Sequence, residues 1–254
     1  MSIVVERDAG LVRVTLDRPE RRNALTVDGF VELGRVLTQI AATPTDRAVL
    51  ITGAGGSFCS GADLSGGVPQ ESPLRLMGWI HDAARALHRL PQPCVAAVDG
   101  PAFGAGMSLA LGCDLVVAST SATFCQVFVK RGLSPDFGST WLLPRLVGLH
   151  TAKRLAMLGD TVTAEQARNL GLVAEVTAPE DLLRTATGTA RRLADGPPLA
   201  LALTKRLLNA SFSTGFDDAL DAEAAASAAN TASEDVAEAF AAFAAKRPAV
   251  FRGR

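Results

Sequence analysis

Short apolar runs that lead into glycine-rich segments are the feature of this sequence that most constrains its fold. Residues 48–52 lead into Gly53-Ala54-Gly55-Gly56, and residues 94–98 lead into residues 100–106, which contain three glycines. A five-residue apolar run is typical of a strand that is buried on both faces of a sheet, and glycine permits the sharp turns that follow such strands. Because helical patterns alternate with these runs, the sequence predicts α/β layers.

Apolar spacing predicts the other elements in the first half of the chain. Residues 3–6 and 11–16 are expected to pair as a hairpin through Asp8-Ala9-Gly10. The predicted helices are residues 27–42, 75–90 and 107–112, and the next predicted strand is residues 115–119.

The composition changes after Gly196. Pro197-Pro198 opens a helical stretch that reaches Leu208, and an Ala-rich helical segment runs from Asp217 to about Lys246. We therefore predict a core region, residues 1–195, and a C-terminal helical region, residues 196–254. The few charges on the Ala-rich segment favour packing against other helices, including those of other subunits, over a solvent-facing helix pair.

Composition also excludes several classes of function. The 25 Lys and Arg residues balance the 26 Asp and Glu residues, which argues against a nucleic-acid or membrane-surface partner. No apolar run reaches about 18 residues, so no membrane-spanning helix is expected. The four cysteines are far apart and the three histidines lack metal-ligand spacing. We therefore expect reduced thiols in a cytoplasmic protein and no metal site.

Two segments of small residues are candidates for holding a ligand through the backbone. Residues 57–64 and residues 100–106 each follow a buried run, and the second opens a predicted helix. Amides at a helix N-terminus are unpaired and carry partial positive charge, so two such segments can hold an oxyanion. From spacing alone, tight turns between packed elements explain these segments better.

The order of these and other segments resembles that of the enoyl-CoA hydratase/isomerase (crotonase) family. Residues 58–64 resemble the first oxyanion loop of the family, and residues 100–114 (GPAFGAGMSLALGCD) resemble its glycine-rich second loop. Further matches, in the family's order, are residues 17–25, 124–148, 158–173 and 246–254. The resemblance implies an α/β crotonase-type spiral of ββα units. It also implies a C-terminal helical region used for oligomerisation into a homotrimer or, by pairing of trimers, a homohexamer.

The same resemblance implies an acyl-CoA thioester as substrate and no cofactor beyond the CoA of that substrate. The thioester oxygen would accept hydrogen bonds from the backbone amides of Ala62 and Ala105. Removal of the α-proton moves negative charge onto this oxygen. Preorganised amides stabilise that charge more than they stabilise the neutral ground state.

Contacts to the rest of the CoA ester are also implied by the resemblance. The substrate-binding residues would be Arg22, Ala24, Asp63, Leu64, Gly104, Phe128, Trp141, Phe243 and Lys246, with residues 74–80 shaping the acyl pocket. Arg22 is expected to face the CoA phosphates, and Phe243 and Lys246 the CoA site of a neighbouring subunit. Arg22 and Lys246 are equally consistent with plain solvated charges, and Trp141 with a packing role.

At two positions the sequence departs from the hydratases of the family. Those enzymes use two glutamates, and Ser108 and Phe128 stand in their places. Neither side chain can do the work of a carboxylate, so the usual hydratase mechanism is not expected. Ser108 is instead expected to be a small helix residue.

Asp136 is the carboxylate nearest to Phe128 in the sequence. Residues 128–136 resemble the segment that carries the acid/base of some family isomerases, including the ring-epoxide and enoyl-CoA isomerases of phenylacetate degradation. One carboxylate suffices to move an allylic proton, and an apolar pocket raises the pKa of an Asp. The alternative is a turn residue or helix N-cap, since Pro-Asp-x-Gly is a turn signal and residues 138–146 are a candidate helix.

Three functional hypotheses follow. The first is an isomerase of an unsaturated or ring-epoxide acyl-CoA, with Asp136 as acid/base. The second is an enoyl-CoA hydratase with an unrecognised base, and the third is a catalytically silent acyl-CoA-binding protein, motivated by the missing glutamates. A serine hydrolase and a dinucleotide-binding fold are not expected, because no GxSxG segment is present and residues 53–56 lack the third glycine of GxGxxG.

Overall fold

The computed structural model of the protein describes residues 2–67 and 71–254 and has a mixed α/β architecture. In these ranges the strands are β1 (Ser2–Asp8), β2 (Leu11–Asp17), β3 (Ala48–Gly53), β4 (Cys94–Val98), β5 (Pro101–Phe103), β6 (Leu115–Ser119), β7 (Thr123–Cys125), β8 (Thr161–Thr163) and β9 (Glu175–Thr177). The helices are α1 (Val27–Ala41), α2 (Pro73–His88), α3 (Ala105–Gly112), α4 (Ser139–Leu158), α5 (Ala164–Asn169), α6 (Leu182–Ala194), α7 (Pro198–Ala210), α8 (Phe216–Thr231) and α9 (Glu234–Ala244).

A six-stranded sheet in the order β1-β2-β3-β4-β6-β9 forms the centre of the molecule. β1 and β2 are the predicted antiparallel hairpin, and both residues of the Ala9-Gly10 turn have the positive φ that two-residue hairpins favour. The other neighbours pair in parallel. The strands predicted at 48–52, 94–98 and 115–119 are confirmed, and β3 and β4 are buried almost throughout because helices cover both faces of the sheet.

Alternate residues of β3 face two different layers. Val49 and Ile51 point into the main core, which they share with α1, α2 and α3. Ala48 and Leu50 point to the opposite face, where they pack against α6. The residues of α6 that meet the sheet are spaced four apart and are Leu182, Ala186, Ala190 and Ala194.

A second sheet, in the order β5-β7-β8, is absent from the sequence-based prediction because strands of three residues leave no periodic signal. β4 is followed by β5 and α3, and β6 is followed by β7 and α4. Each unit therefore adds one strand to the large sheet, one strand to the small sheet and then a helix. These are the ββα units that the resemblance implies. β5 pairs in parallel with β7, and the Gly104 amide extends the pairing by donating to the Cys125 carbonyl at 2.8 Å.

The helical stretch predicted from Pro197-Pro198 is α7, which begins at Pro198, and the Ala-rich helical segment predicted from Asp217 to about Lys246 consists of two helices. α8 ends at Thr231 and α9 ends at Ala244, with a turn through Ala232 and Ser233 between them. Within this chain α8 buries only Ala226, so most of its surface is open.

The last residues of the chain tie α9 to the core. The carboxylate of the buried Asp235 accepts hydrogen bonds from the amides of Arg252 (2.6 Å) and Gly253 (2.9 Å). The guanidinium of Arg47 donates to the carbonyls of Phe251 (3.0 Å) and Gly196 (2.7 Å). The C-terminal tail therefore connects α9 with the start of the helical region and with the large sheet.

Among residues 2–67 and 71–254, no helix combines the length and the apolar character needed to span a membrane.

Candidate active site

The two glycine-containing segments lie side by side in the folded chain. The Cys59 amide donates to the Pro101 carbonyl at 3.0 Å, and the Phe103 amide donates to the Cys59 carbonyl at 2.9 Å. Gly106 allows this approach, since a Cβ at that position would lie 2.1 Å from the Cys59 carbonyl oxygen. Gly61, at φ 102°, would likewise place a Cβ 2.8 Å from the Phe103 carbonyl oxygen. The segments are thus more than tight turns, because their backbones pair directly.

This pairing leaves the amides of Ala62 and Ala105 available. The Leu25 amide donates to Gly61 and the Asp63 amide donates to Leu25, both at 2.8 Å, so the intervening Ala62 turns its own N–H away from Leu25. Ala105 is the first residue of α3, where an amide has no partner within the helix. Neither amide donates to an acceptor in the described part of the chain. A Cβ on Gly61, the residue before Ala62, would lie 3.6 Å from the Ala105 nitrogen, so the two segments meet.

Asn23 holds the loop that carries Leu25 against the first segment. It is fully buried, its Oδ1 accepts the Arg18 amide at 2.8 Å, and its Nδ2 donates to the carbonyls of Ala54 (2.9 Å) and Ser57 (2.6 Å). Its φ of 56° is a left-handed conformation that asparagine tolerates. No pattern in the sequence indicates this role of Asn23, although the residue lies within segment 17–25, which resembles the family's opening segment.

The Asp63 carboxylate is bound by groups of the protein itself. Its carboxylate accepts the Ser65 amide at 2.9 Å and pairs with the Arg18 guanidinium at 2.6 Å. Hydrogen bonds from Ser65, and then the bond from Arg18, hold the pKa of this carboxyl well below its usual range. The contact of Asp63 with CoA stays a prediction. The carboxylate itself already binds Ser65 and Arg18.

The two positions that hydratases fill with glutamate contain no free polar group. Ser108 is fully buried, and its hydroxyl donates to the Gly104 carbonyl one helical turn earlier, at 3.1 Å. It is therefore the small helix residue that was expected. Phe128 is also buried, and its Cζ lies 3.6 Å from the position that a Cβ of Gly104 would take. The neighbourhood of Gly104 is apolar on this side.

Asp136 is partly buried and its carboxyl is unpaired. Its Oδ1 has no hydrogen-bond partner in the described residues, and burial raises the pKa of the carboxyl to about 6. The N-cap of α4 is Gly138, and no side chain caps this helix. The Asp136 carbonyl, not its carboxylate, accepts the Ser139 amide. The turn interpretation therefore holds for the backbone of Asp136, whereas the N-cap interpretation of its side chain is wrong.

Phe137 adopts an unusual conformation beside Asp136. Its φ is 52°, it is 2% exposed, and its ring centroid lies 6.0 Å from that of Phe30 on α1. No pattern in the sequence marks this residue, because the conformation depends on contact with a distant helix.

The other predicted ligand contacts differ in their exposure. Ala24 is buried, whereas Arg22, Leu64, Phe243 and Lys246 are exposed. Of the predicted acyl-pocket residues 74–80, Leu74 is exposed and Ile80 is buried at the α2 core face. Ligand contacts by these residues stay predictions.

Trp141 is engaged by protein groups. Its ring meets the edge of His88 with centroids 5.2 Å apart, and the Arg145 guanidinium lies 3.9 Å from its centroid. Burial, more than nearby charges, lowers the pKa of His88. These contacts join α2 to α4 and fit the packing alternative, while a substrate contact by Trp141 stays a prediction.

Groups of His, Cys, Asp or Glu arranged to hold a metal are not found in the ranges 2–67 and 71–254.

Comparisons with known proteins show which chains this one is similar to. A family model described as Enoyl-CoA hydratase/isomerase matches residues 6–254. The 1,2-epoxyphenylacetyl-CoA isomerase of Escherichia coli (strain K12) is 40% identical over 253 residues, covering 97% of both chains. A short-chain-enoyl-CoA hydratase of Clostridium acetobutylicum is 35% identical over 250 residues, covering 97% of this chain and 95% of the relative. The crystal structure of an enoyl-CoA hydratase from Bacillus anthracis matches with a TM-score of 0.96 at 31% identity, over 100% of both chains.

Proposed function

The chain belongs to the enoyl-CoA hydratase/isomerase family, and from that premise we propose that it isomerises an unsaturated or ring-epoxide acyl-CoA through an enolate. Asp136 is the acid/base, the amides of Ala62 and Ala105 form the oxyanion hole, and no cofactor takes part beyond the CoA of the substrate. The observation that carries the proposal is the partly buried Asp136 carboxyl, which has no hydrogen-bond partner among residues 2–67 and 71–254 and does not cap α4.

The reaction begins when the Asp136 carboxylate removes a proton from the carbon next to the thioester. Negative charge then moves onto the thioester oxygen, where two preorganised amides stabilise it. In a 3-enoyl-CoA the resulting dienolate extends to the γ-carbon. The protonated Asp136 returns the proton there, which yields the conjugated 2-enoyl thioester. One carboxyl group completes the cycle because it gives back the proton that it took.

The pKa of Asp136 suits this role. Burial raises it to about 6, so the group is ionised at neutral pH and is a stronger base than an exposed Asp. Because the carboxylate form is the base, kcat/KM should fall as the pH is lowered through about 6.

Ser108 and Phe128 favour isomerisation over hydration. Water addition needs carboxylates that position and activate a water molecule, and the Ser108 hydroxyl is bound to the Gly104 carbonyl inside α3. Phe128 adds an apolar ring beside Gly104. The similarity to both an isomerase and a hydratase leaves this choice to the chemistry of these residues.

The test is the conversion of a 3-enoyl-CoA, followed by the ultraviolet absorbance of the conjugated product. We expect turnover by the wild type and a fall in kcat on the order of 10²–10⁴-fold in Asp136→Asn. Binding of the CoA ester should be retained, since the amide keeps the shape of the side chain. Asp160→Asn, which changes an exposed carboxylate beyond the other end of α4, should keep wild-type activity.

Full activity in Asp136→Asn would refute the assignment of the base. Hydration of a 2-enoyl-CoA by the wild type, without isomerisation, would favour a hydratase with an unrecognised base. If the protein binds CoA esters tightly but turns over none of them, ring-epoxide esters included, the silent binding protein is favoured. The missing glutamates are what suggest that alternative.

We also propose that the protein acts as a homotrimer or a pair of trimers, assembled through its C-terminal helical region. Large apolar side chains of this region are exposed in the single chain, including Phe216 (79%), Phe240 (73%) and Phe243 (86%). A chain that leaves several aromatic rings in water gains free energy when a second copy covers them.

A further inference from the structure

The turn in front of α4 contains a strained conformation that the proposed reaction does not by itself explain. Phe137 has a φ of 52° and Gly138 a φ of 78°, so two consecutive residues are left-handed. Glycine adopts this region freely, whereas a bulky side chain persists in it only where the surrounding structure holds it. The surroundings of Phe137 must therefore stabilise the turn.

The Phe137 side chain is anchored in the main core. It is 2% exposed, and its ring lies 6.0 Å from the ring of Phe30 at a tilt of 40°. Burial of an aromatic ring is a large favourable contribution, and tilted ring pairs add to it. The anchored ring thus offsets the unfavourable backbone conformation.

Ser139 fixes the other side of the turn. It is 1% exposed, and both its amide (3.1 Å) and its hydroxyl (3.0 Å) donate to the carbonyl of Asp136. Ser139 is the first residue of α4, so these bonds join Asp136 to the helix through its backbone. The Asp136 carboxyl is left with an Oδ1 that no described residue pairs with.

From this geometry we propose that Phe137 and Ser139 are positioning residues, whose anchored ring and double hydrogen bond keep the Asp136 carboxyl buried and uncapped. The inference rests on the proposed function, which gives this arrangement its purpose. Neither residue is required to touch the reacting atoms, because both act through the backbone of Asp136.

Ser139→Ala tests the proposal, because it removes the hydroxyl bond and keeps the amide bond. Ser233→Ala is the matched control, since the amide and hydroxyl of Ser233 donate to the Asn230 carbonyl at 3.0 and 2.7 Å, directly ahead of α9. We expect the kcat of Ser139→Ala for a 3-enoyl-CoA to fall about tenfold or more at an unchanged KM, because small displacements of a catalytic group are costly. Ser233→Ala should retain the wild-type kcat.

A second measurement needs no turnover. The ¹³C NMR shift of the Asp136 carboxyl carbon, assigned with Asp136→Asn, reports its pKa, which burial alone raises to about 6. In Ser139→Ala the pKa should move back towards its usual value, because a relaxed turn exposes the carboxyl to water. Phe137→Gly should have the same effect, since glycine relieves the strain but removes the anchor.

The outcomes separate the two proposals. If the wild type does not turn over a 3-enoyl-CoA, the isomerase proposal is refuted. If the Asp136 pKa is nevertheless lowered in Ser139→Ala and Phe137→Gly, the positioning role is supported. An unchanged kcat and an unchanged Asp136 pKa in both Ser139→Ala and Phe137→Gly would overturn the positioning role.

Discussion

The raised pKa of Asp136, which suits its proposed role as acid/base, has a cost in stability. Burial raises the pKa of its carboxyl to about 6, whereas an Asp in an unfolded chain has a pKa of about 3.9. The folded state therefore holds this proton more tightly than the unfolded state does. The contribution of this carboxyl to the stability of the folded state is fully present below about pH 4. It is lost as the pH rises through about 6.

We predict that Asp136→Asn stabilises the protein at pH 8, by at most roughly 3 kcal/mol, because a neutral amide replaces a buried charge. The gain should fall to about half at pH 5. Urea unfolding of variant and wild type at both pH values measures it, with Asp160→Asn as the exposed control. No gain at pH 8 would mean that the carboxyl is not buried in solution.

Residues in the site differ in how far the sequence predicts them. Ser108 was expected to be a small helix residue, and its hydroxyl does bond to the preceding turn of α3. The roles of Asn23 and Ser139 were not predicted, because a side-chain amide or hydroxyl acquires its partners only when separate segments meet. The positive φ of Phe137 depends on Phe30 in the same way.

At the scale of elements, the candidate oxyanion hole depends on two segments that follow different strands of the large sheet. β3 and β4 are parallel neighbours, so the segments after their carboxyl ends emerge at the same edge. Pairing of Cys59 with residues 101 and 103 then sets their relative position. The amides of Ala62 and Ala105 are fixed by this pairing and not by their side chains.

We predict that Gly106→Ala separates these segments. An added Cβ would lie 2.1 Å from the Cys59 carbonyl oxygen, so the backbone must shift, at a cost of about 1–3 kcal/mol or more in stability and with a fall in kcat. Gly188→Ala is the control within α6, where a Cβ meets nothing within 4 Å. It should stabilise the protein by about 0.5–1 kcal/mol and leave kcat unchanged. Thermal unfolding and steady-state kinetics measure both variants, and a fully active Gly106→Ala would contradict the importance of this contact.

At the scale of the whole molecule, the chain divides its apolar residues between an enclosed core and an open helical region. The core fills the space between the large sheet and its helices. α8 buries only Ala226 in the single chain, and the C-terminal tail holds α9 in place through Asp235. An exposed helical surface of this kind supports the proposed assembly with further copies of the chain.

We predict a particle of three or six times the mass of one chain in analytical ultracentrifugation. Phe240→Asp, which places a charge on an exposed position of α9, should lower that mass if this region forms the interface. Leu183→Asp, at an exposed position of α6 outside the region, should not. A wild-type monomer at micromolar concentration would refute the assembly.

The sequence by itself determined the hairpin, buried strands and helices of residues 3–119 that belong to the large sheet and its core, the start of the C-terminal helices and the family. It also indicated Asp136 as a candidate acid/base, and Ser108 and Phe128 as the residues that replace the two glutamates of hydratases. These features are carried by local periodicity, by turn residues and by the order of short motifs, all of which are properties of neighbouring residues.

Only the tertiary structure decided the small sheet, the pairing of the two glycine-containing segments and the turn that holds Asp136. The short strands β5, β7 and β8 exist because their partners come from distant parts of the chain. The left-handed Phe137 is stabilised by its packing against Phe30, and both hydrogen bonds from Ser139 go to the Asp136 backbone carbonyl rather than to its carboxylate. Such features depend on contacts between residues far apart in sequence, and no local pattern encodes those contacts.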